Sequence, residues 1–556
     1  VKRFLKILAW AATLFLGLEL VLLLSFSRPV NPNARDPAFV KGVYHIHSLF
    51  SDGLGDKTEI AAAAADLGLD FVILTDHGRP NPDSAAATSR IKGALVIGGS
   101  ELTVRGGHLA AAGFAMPEYK FSPESQQAID EISAQETGIT FLAHPFDGRI
   151  PWTEPQVRGM TGIEIISYYQ QVKKMFPPRL LSFFLLYPLN PDYALTSHIS
   201  FPRRELAFWD ELNREGRYLG IHALDAHAKL PLGPWSLKFP SYRAMFRILN
   251  LYVRCPAPLP VEAEQAAGLV LKAIKRGDFF NVVESLAAAD GFDCRFEPYA
   301  GPAVFMGGEA PSANGEFVFN LPFPFATKVL LYRNGRLCAE VKSKGNEVAR
   351  IPVSLPGVYR AEIYLSRLRF RNIPWIISNP FFLGVPSAEK TPRPSLEKNE
   401  ELRPLNDPHF QAEKNRLSTT DLNMDTGKFS LSFVLNPDPE KTADFWVAAA
   451  ERGRRDWSDF SAINFSGKAS RPMRLWLQFR AGEPEREECF ERSFLLTTDW
   501  TAFEFPFSSF YQQSQNGKPP ELGLINSFFF LLDGRLAYPD STGEFSIKDI
   551  GLRTRY

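Results

Sequence analysis

The sequence predicts a multidomain chain: an N-terminal transmembrane helix, an α/β domain on a mostly parallel sheet, open or closed into a barrel, and two all-β domains. Three observations point there. Residues 7–26 form an almost unbroken apolar run, residues 40–288 alternate apolar strands with amphipathic helices, and residues from about 290 onward read as short alternating runs split by turn residues. At 556 residues the chain is too long for one hydrophobic core. Basic and acidic residues balance at 62 each, so bulk charge draws no stable duplex nucleic acid partner. Apolar content of 45% with 46 Phe argues for packed domains and against disorder.

The N-terminal element is "ILAWAATLFLGLELVLLLSF", preceded by Lys2, Arg3 and Lys6 and interrupted only by Glu19. Twenty helical residues rise about 30 Å, enough to cross the hydrocarbon core. The basic flank predicts a signal anchor over 1–27 with the bulk extracytoplasmic, periplasmic or at the cell surface. Secretion after signal cleavage is the alternative, although "LLLSFSRPVNPNARD" offers no clean cleavage site. A Pro/Asn-rich tether follows over 28–39.

The α/β domain spans 40–289. Its strands are "GVYHIH", "DFVILTD", "ALVIGGSE", "LAAAGF", "ITFLAHP", "GIEIIS", "YLGIHALDAH" and "DFFNVVES", with helices over 57–67, 123–137, 203–215 and 262–276. Over 290–386, runs such as "TKVLLYRNGRLCAEV" and "GVYRAEIYL" carry Asn-Gly and Pro-Gly turns and predict an Ig-like β-sandwich. The charged, Pro-containing stretch 387–408 reads as a linker. Residues 409–556 form a second all-β region, predicted as a jelly roll. Cys255, Cys294, Cys338 and Cys489 form no CxxC; disulfides and buried free thiols both remain open.

Chemistry gathers at the strand ends of the α/β domain. Strand ends that converge on one face are where such a fold can assemble a metal site. "VYHIHS" ends in His45 and His47, two residues apart and so on one strand face, with Asp52 in the following turn. Asp76 and His77 end "FVILTDHG", Glu101 ends "LVIGGSE", His144 ends "ITFLAHP", and Asp225 and His227 end "YLGIHALDAH". His108 starts "HLAAAGF". A lone strand-end His is commonly a satisfied polar residue, but imidazole or carboxylate at so many ends of one domain points to a metal centre.

From "HIHSLFSDG" through "TDHG", "GSE", "HLAAAGF", "AHP" and "DAH", in that order, the chain resembles the PHP (polymerase and histidinol phosphatase) family. The resemblance covers just under half of the chain. It implies a distorted (β/α)7 barrel, two or three divalent ions (zinc, manganese or iron), and phosphoester hydrolysis. The ligands it implies are His45, His47, Asp52, His77, Glu101, His108, His144, Asp225 and His227, with Glu101 at the metal-bridging position. This chain departs from the family where "ALDAH" replaces a Gly-Ser pair and brings His222 nearby, and where Gly78 and Arg79 follow the TDH.

These residue types fit the chemistry. Imidazole and carboxylate suit borderline divalent ions, and water between two such ions becomes a hydroxide nucleophile near neutral pH. Asp76 is a candidate for orienting a ligand, with a plain strand-end acceptor as the alternative. Arg79 and Arg149 are candidates for clamping a phosphorylated small molecule or nucleotide, surface ion pairing being the commoner role of such arginines, and His222 is a further catalytic candidate.

Three readings of function follow: a membrane-anchored phosphoesterase acting on a mono- or diester, a glycan-binding or scaffolding protein with an inactive barrel, and a metal hydrolase cutting a non-phosphate bond such as an amide. Residues 409–556 resemble galactose-binding-like jelly rolls, which implies a possible glycan partner. Trp457, Trp476 and Trp500 are its candidate stacking platform, although aromatics in such folds are mostly core. The apolar stretch 178–189 is too short to span a bilayer and reads as a core helix, with a membrane-facing surface as the alternative.

Overall fold

The computed structural model describes residues 2–26, 28–33, 35–173, 177–255, 259–366, 370–385, 402–405, 408–437, 445–512 and 520–554. Most of the expected linker over 387–408 lies outside them; within it, Leu402–Pro404 form a short strand. The chain divides into two compact units, residues 1–116 with 125–390, and residues 117–124 with 391–556.

In the first unit, strands Phe39–Ile46, Phe71–Leu74 and Ala94–Ile97 run parallel, and Leu249–Arg254 and Phe279–Val283 extend their sheet antiparallel. A second sheet orders Gly99–Val104, Gly107–Ala112, Ile139–Leu142, Gly162–Ser167 and Leu219–Ala223. Single parallel bridges, Ile46 to Ala226 and His77 to Glu101, join the two sheets at two seams. The result is more mixed than the mostly parallel sheet the sequence predicts. Val104 pairs directly with Gly107, so "VRGG" closes a two-residue hairpin instead of a crossover.

The expected helices form close to their predicted places: Lys57–Ala65, Ser125–Ser133, Arg203–Glu215 and Ala263–Arg276. Asp56 caps the first by accepting from Glu59 N. Ala263–Arg276 buries Ala266, Ala267, Val270, Leu271, Ala273 and Ile274, the spacing of one helix face, and Gly277 ends it in the left-handed region at φ 84°. This face covers a core of Val40, Phe71, Ile73, Leu95 and Ile97 beneath the parallel strands.

The β-region over 290–386 shares the barrel's unit. Phe279–Val283 pairs with Ile376–Ser378, which pairs in turn with Gly357–Leu365, so one sheet runs on from barrel to sandwich. An otherwise open strand edge is covered in this way. Trp375 is fully buried at the junction and donates its indole N–H to Ala287 O at 2.8 Å.

Among the described residues no helix is long and apolar enough to cross a membrane. This corrects the transmembrane element expected over 1–27. Lys2–Ser25 is helical, but its C-terminal turns pack against the first unit: Leu23 joins the barrel core, and buried Glu19 accepts from the Tyr193 hydroxyl at 3.0 Å. Phe26 then stacks edge-on against Tyr193 and Phe370. In the apolar stretch 178–189, Phe183 and Leu186 are buried in the core while Phe184, Leu185 and Leu189 are exposed.

The second unit is an antiparallel sandwich. One sheet orders Thr419–Asp425, Lys428–Val434, Thr542–Thr554, Phe460–Ala469 and Thr501–Pro506; the other orders Phe410–Lys414, Trp446–Arg455, Ile525–Asp533, Met473–Ala481, Glu488–Leu496 and Tyr511–Gln512. Strict alternation sends Phe429, Leu431 and Phe433 inward to meet Phe410, Phe465, Phe530 and Phe545. All four cysteines are free thiols.

Candidate metal centre

The two seams of the barrel build the site. At the first seam the strand Phe39–Ile46 bulges between Tyr44 and Ile46, and His45 takes φ 67°. His144 (φ 31°) and Asp225 (φ 51°) are likewise left-handed. Such backbone costs roughly 1–3 kcal/mol per residue in ordinary structure and gathers where side chains must be aimed at a function. Gly53 belongs to the same design: a Cβ there would stand 2.3 Å from His47 O, so only glycine lets the loop carrying Asp52 fold back on the strand.

Glu101 lies at the centre and is fully buried. Its two oxygens face different imidazoles. Oε1 meets His108 Nδ1 at 2.8 Å and His144 Nε2 at 2.9 Å. Oε2 faces His45 Nε2 at 3.4 Å, His47 Nε2 at 3.2 Å and His77 Nδ1 at 3.2 Å, yet has no hydrogen-bond partner. Asp225 Oδ1 stands 3.3 Å from His47 Nε2 and 3.6 Å from His45 Nε2. Asp52 Oδ1, also unpartnered, is 3.2 Å from His227 Nε2 and 3.8 Å from His77 Nε2.

Eight of these nine donors fall into three overlapping groups: His47, Asp52, His77 and His227; His45, His47, Glu101 and Asp225; His77, Glu101 and His108; His144 stands outside them, against Glu101 Oε1. Within each group one ligand atom per residue lies within 4.8 Å of the others. Two ligands of one tetrahedral ion, each 2.0–2.2 Å from it, stand about 3.3–3.6 Å apart, close to the spacings around Glu101 Oε2 and Asp225 Oδ1. Nitrogen and oxygen donors suit zinc, manganese or iron, and a carboxylate with its oxygens turned to different groups suits a bridge. The residues present therefore fit a centre of two or three divalent ions.

Electrostatics agree with the donor set. Burial pulls His47 down, but its contacts with Asp225 and Glu101 prevail and raise it to about 9. Burial opposes ionisation of Glu101 as well; His45, His108 and His144 nonetheless hold it well below the usual carboxylate range. Asp52 and Asp225 are lowered too, against their burial, by the imidazoles around them. His77, half-buried and flanked by His47, falls to about 4, chiefly through burial. Negative charge is thus fixed at three carboxylates, a setting that suits bound cations.

All nine residues expected as ligands lie in this cluster. The other candidates are placed differently. Asp76 is buried and accepts from Ser48 N (2.7 Å), Ser48 Oγ (2.8 Å) and Ser51 Oγ (2.6 Å), bracing the loop that follows His47. Ser51 Oγ in turn lies 3.4 Å from His47 Nδ1. Arg149 is exposed beyond His144, with its charge felt at Tyr169, and Arg79 is half-buried after His77. His222 does not join the donors: its strand holds it through Asn281, which accepts from its backbone N, and its ring is buried.

Sequence reasoning missed two sets of residues. Glu164, fully buried, meets His45 Nδ1 at 2.5 Å and accepts from His144 N at 2.8 Å. It holds the His45 ring at Nδ1 and turns Nε2 toward Glu101. A carboxylate inside the otherwise apolar strand "GIEIIS" was its one visible signal. The second set is Tyr169, whose ring lies 4.9 Å from that of His227, and Lys173, whose ammonium sits 4.3 Å above Tyr169 and 3.8 Å from Asp147 Oδ2. With Arg149 they put two cations at the rim of the cluster.

No family model matches the chain, and no curated protein matches it. Among solved structures, the chain is similar to a two-domain protein from Bacteroides vulgatus described as containing a predicted PHP-like metal-dependent phosphoesterase, at 14% identity over 64% of this chain and 100% of that one, with a TM-score of 0.30. It is also similar to a family 11 carbohydrate-binding module from Clostridium thermocellum, in complex with a mixed-linked tetrasaccharide, at 18% identity over 27% of this chain and 94% of that one (TM-score 0.23). A family 30 carbohydrate-binding module aligns at 14% identity over 25% of this chain and 84% of that one (TM-score 0.19). Likenesses this distant assign no activity, and the site stands on its own geometry.

Proposed function

We propose that the first unit is a metal-dependent phosphoesterase acting on a phosphorylated small molecule or nucleotide, and that the second contacts a glycan. The observation that carries the hydrolase reading is Glu101, with Oε1 turned to His108 and His144 and Oε2 to His45, His47 and His77. Two or three ions of zinc, manganese or iron held by the nine donors would supply Lewis-acid charge neutralisation at a phosphoryl group and acidify water.

The protein's own residues do the positioning. Glu164 holds the His45 ring at Nδ1, and the Asp225 backbone oxygen, 2.9 Å from His227 Nδ1, sets that ring's Nε2 toward Asp52. Lys173 and Arg149 bring positive charge to the rim, where an anionic phosphate enters. An uncharged amide substrate would make no use of those cations. An extracytoplasmic location belongs to the same proposal, and protease accessibility in intact cells tests it.

The test is turnover by the full chain supplied with zinc, manganese or iron, on p-nitrophenyl phosphate, bis-p-nitrophenyl phosphate and an amino-acid anilide. We expect phosphoester hydrolysis that EDTA abolishes and that His45→Ala and His47→Ala each remove while circular dichroism shows the fold intact. Bound metal without turnover of either phosphoester, or turnover of the anilide alone, refutes the assignment.

A further inference from the structure

Of the three tryptophans singled out in the jelly-roll sequence, Trp457 and Trp476 are buried, and Trp476 donates to Asp533 at 3.1 Å. Trp500 alone stays 38% exposed. Three ammonium groups surround its ring: Lys548 Nζ at 4.7 Å, Lys468 at 5.3 Å and Lys428 at 5.8 Å from the centroid. They come from three adjacent strands of the sheet that contains Lys428–Val434, Thr542–Thr554 and Phe460–Ala469. Phe429, Ala469 and Ile547 point into the core, so the lysines beside them point out.

The register makes this costly. Lys428 sits directly opposite Lys548, and like charges across a strand pair destabilise a sheet. The compensation is thin: Asp549 is 3.6 Å from Lys548, and Asp425 lies across from Lys428 on the neighbouring strand. Two hydroxyls, Ser430 and Ser546, hydrogen-bonded to each other at 2.7 Å, complete the polar floor.

We propose that this face binds an acidic polysaccharide, a uronate residue stacking on Trp500 with its carboxylate among Lys428, Lys468 and Lys548. The proposal rests on the reading of the second unit as a glycan-contacting domain. An indole suits the C–H face of a pyranose and holds cations above it, and ammonium groups suit a carboxylate. The cations cluster on a single ring, with Asp425, Asp549 and, further along the same face, Glu544 beside them. A polyphosphate or anionic bilayer would want a broad cationic surface without those carboxylates.

The test is affinity electrophoresis and calorimetry of the full chain with polygalacturonate, neutral galactan, inorganic polyphosphate and phosphatidylglycerol vesicles. We expect binding of polygalacturonate that weakens as salt rises above about 50 mM. Trp500→Ala and the combined K428Q, K468Q and K548Q change should each weaken it roughly tenfold, while Trp500→Phe stays within about threefold; thermal melting should hold in the tryptophan variants and hold or rise in the lysine variant. Polyphosphate or vesicles binding as tightly as polygalacturonate, or an unaltered affinity in Trp500→Ala, overturns the proposal. Galactan bound independently of Trp500 overturns it too while leaving the glycan reading intact, and absence of any polysaccharide binding removes both. Phosphoester turnover, measured on the same samples, is expected to be equal in all variants.

Discussion

Replacing Glu101 with Gln tests the centre at its hub. The side chain keeps its volume and loses its charge. Two contacts of charge-assisted length are weakened, to His108 at 2.8 Å and His144 at 2.9 Å. At about 1.5–3 kcal/mol each for a charged hydrogen bond, the variant forfeits roughly 3–6 kcal/mol of interaction inside the cluster. It also places an NH2 group where one of two acceptor oxygens stood. Ions that bind only the folded chain at 100 to 1,000 times their Kd stabilise it by about 2.7–4 kcal/mol, so EDTA should lower the wild-type melting midpoint by roughly 3–5 °C in a unit of this size. In Glu101→Gln most of that shift should be gone. Metal per chain, read by inductively coupled plasma mass spectrometry after dialysis, should fall by at least one ion. Wild-type metal content together with an undiminished EDTA shift would refute the bridging role.

Other expectations follow from the same geometry. Glu164→Gln weakens the hold on His45 Nδ1 and should cost about 10–100-fold in metal affinity or kcat with little change in KM; titration of the apo-protein with zinc that matches wild type would remove Glu164 from the account. Lys173→Gln should raise KM for a phosphomonoester by roughly threefold to tenfold at nearly constant kcat, and an unchanged KM would place Lys173 outside substrate contact. His222 supplies a pH dependence. Burial holds it at about 3, against about 6.5 in an unfolded chain, with the Val282 backbone pulling weakly the other way. As pH falls the unfolded chain takes the proton first, so stability is full above about pH 6.5 and is lost progressively toward pH 3. Between pH 7 and 5 the loss is about 2 kcal/mol, and His222→Leu should abolish it in urea denaturation while leaving turnover at pH 7 within about twofold; an identical pH slope in the variant would contradict the assignment.

Much of the centre was legible because its residues obey strand rules. His45 and His47 are two apart, and Asp76, His77, Glu101, His144, Asp225 and His227 close apolar runs, which is where converging strands present side chains. The bulge at His45 was not legible, since alternation alone already puts His45 and His47 on one face. Glu164 hid because a single acid in a strand ordinarily reads as the solvent side, and only burial on both faces of the sheet gives it a different meaning. Tyr169 and Lys173 lie in a stretch without motif, brought to the rim by tertiary packing.

Fold-level differences have equally local causes. The strand Leu249–Arg254 was not among those expected, although "LNLYVR" is apolar enough for one, and its antiparallel pairing with Phe39–Ile46 changes the sheet order. The hairpin at Arg105–Gly106 replaces a crossover because a Gly-containing two-residue turn suffices. At the N-terminus hydropathy dominated the reading, and the Glu19–Tyr193 hydrogen bond that ties the helix to the folded unit spans 174 residues of sequence. Exposure of Trp500 and burial of Trp457 depend on which loop meets which sheet face, a matter of packing that composition leaves open.

The central claim is that nine side chains hold a polynuclear metal centre. Anomalous diffraction from crystals of the full chain, recorded on both sides of the zinc, iron and manganese edges, tests it most directly. The account predicts two or three peaks, one on each side of the Glu101 carboxylate and each within about 2.4 Å of at least three of the donor atoms. A cluster without anomalous density in crystals grown with those metals, or a single peak that Glu101 does not touch, would contradict it.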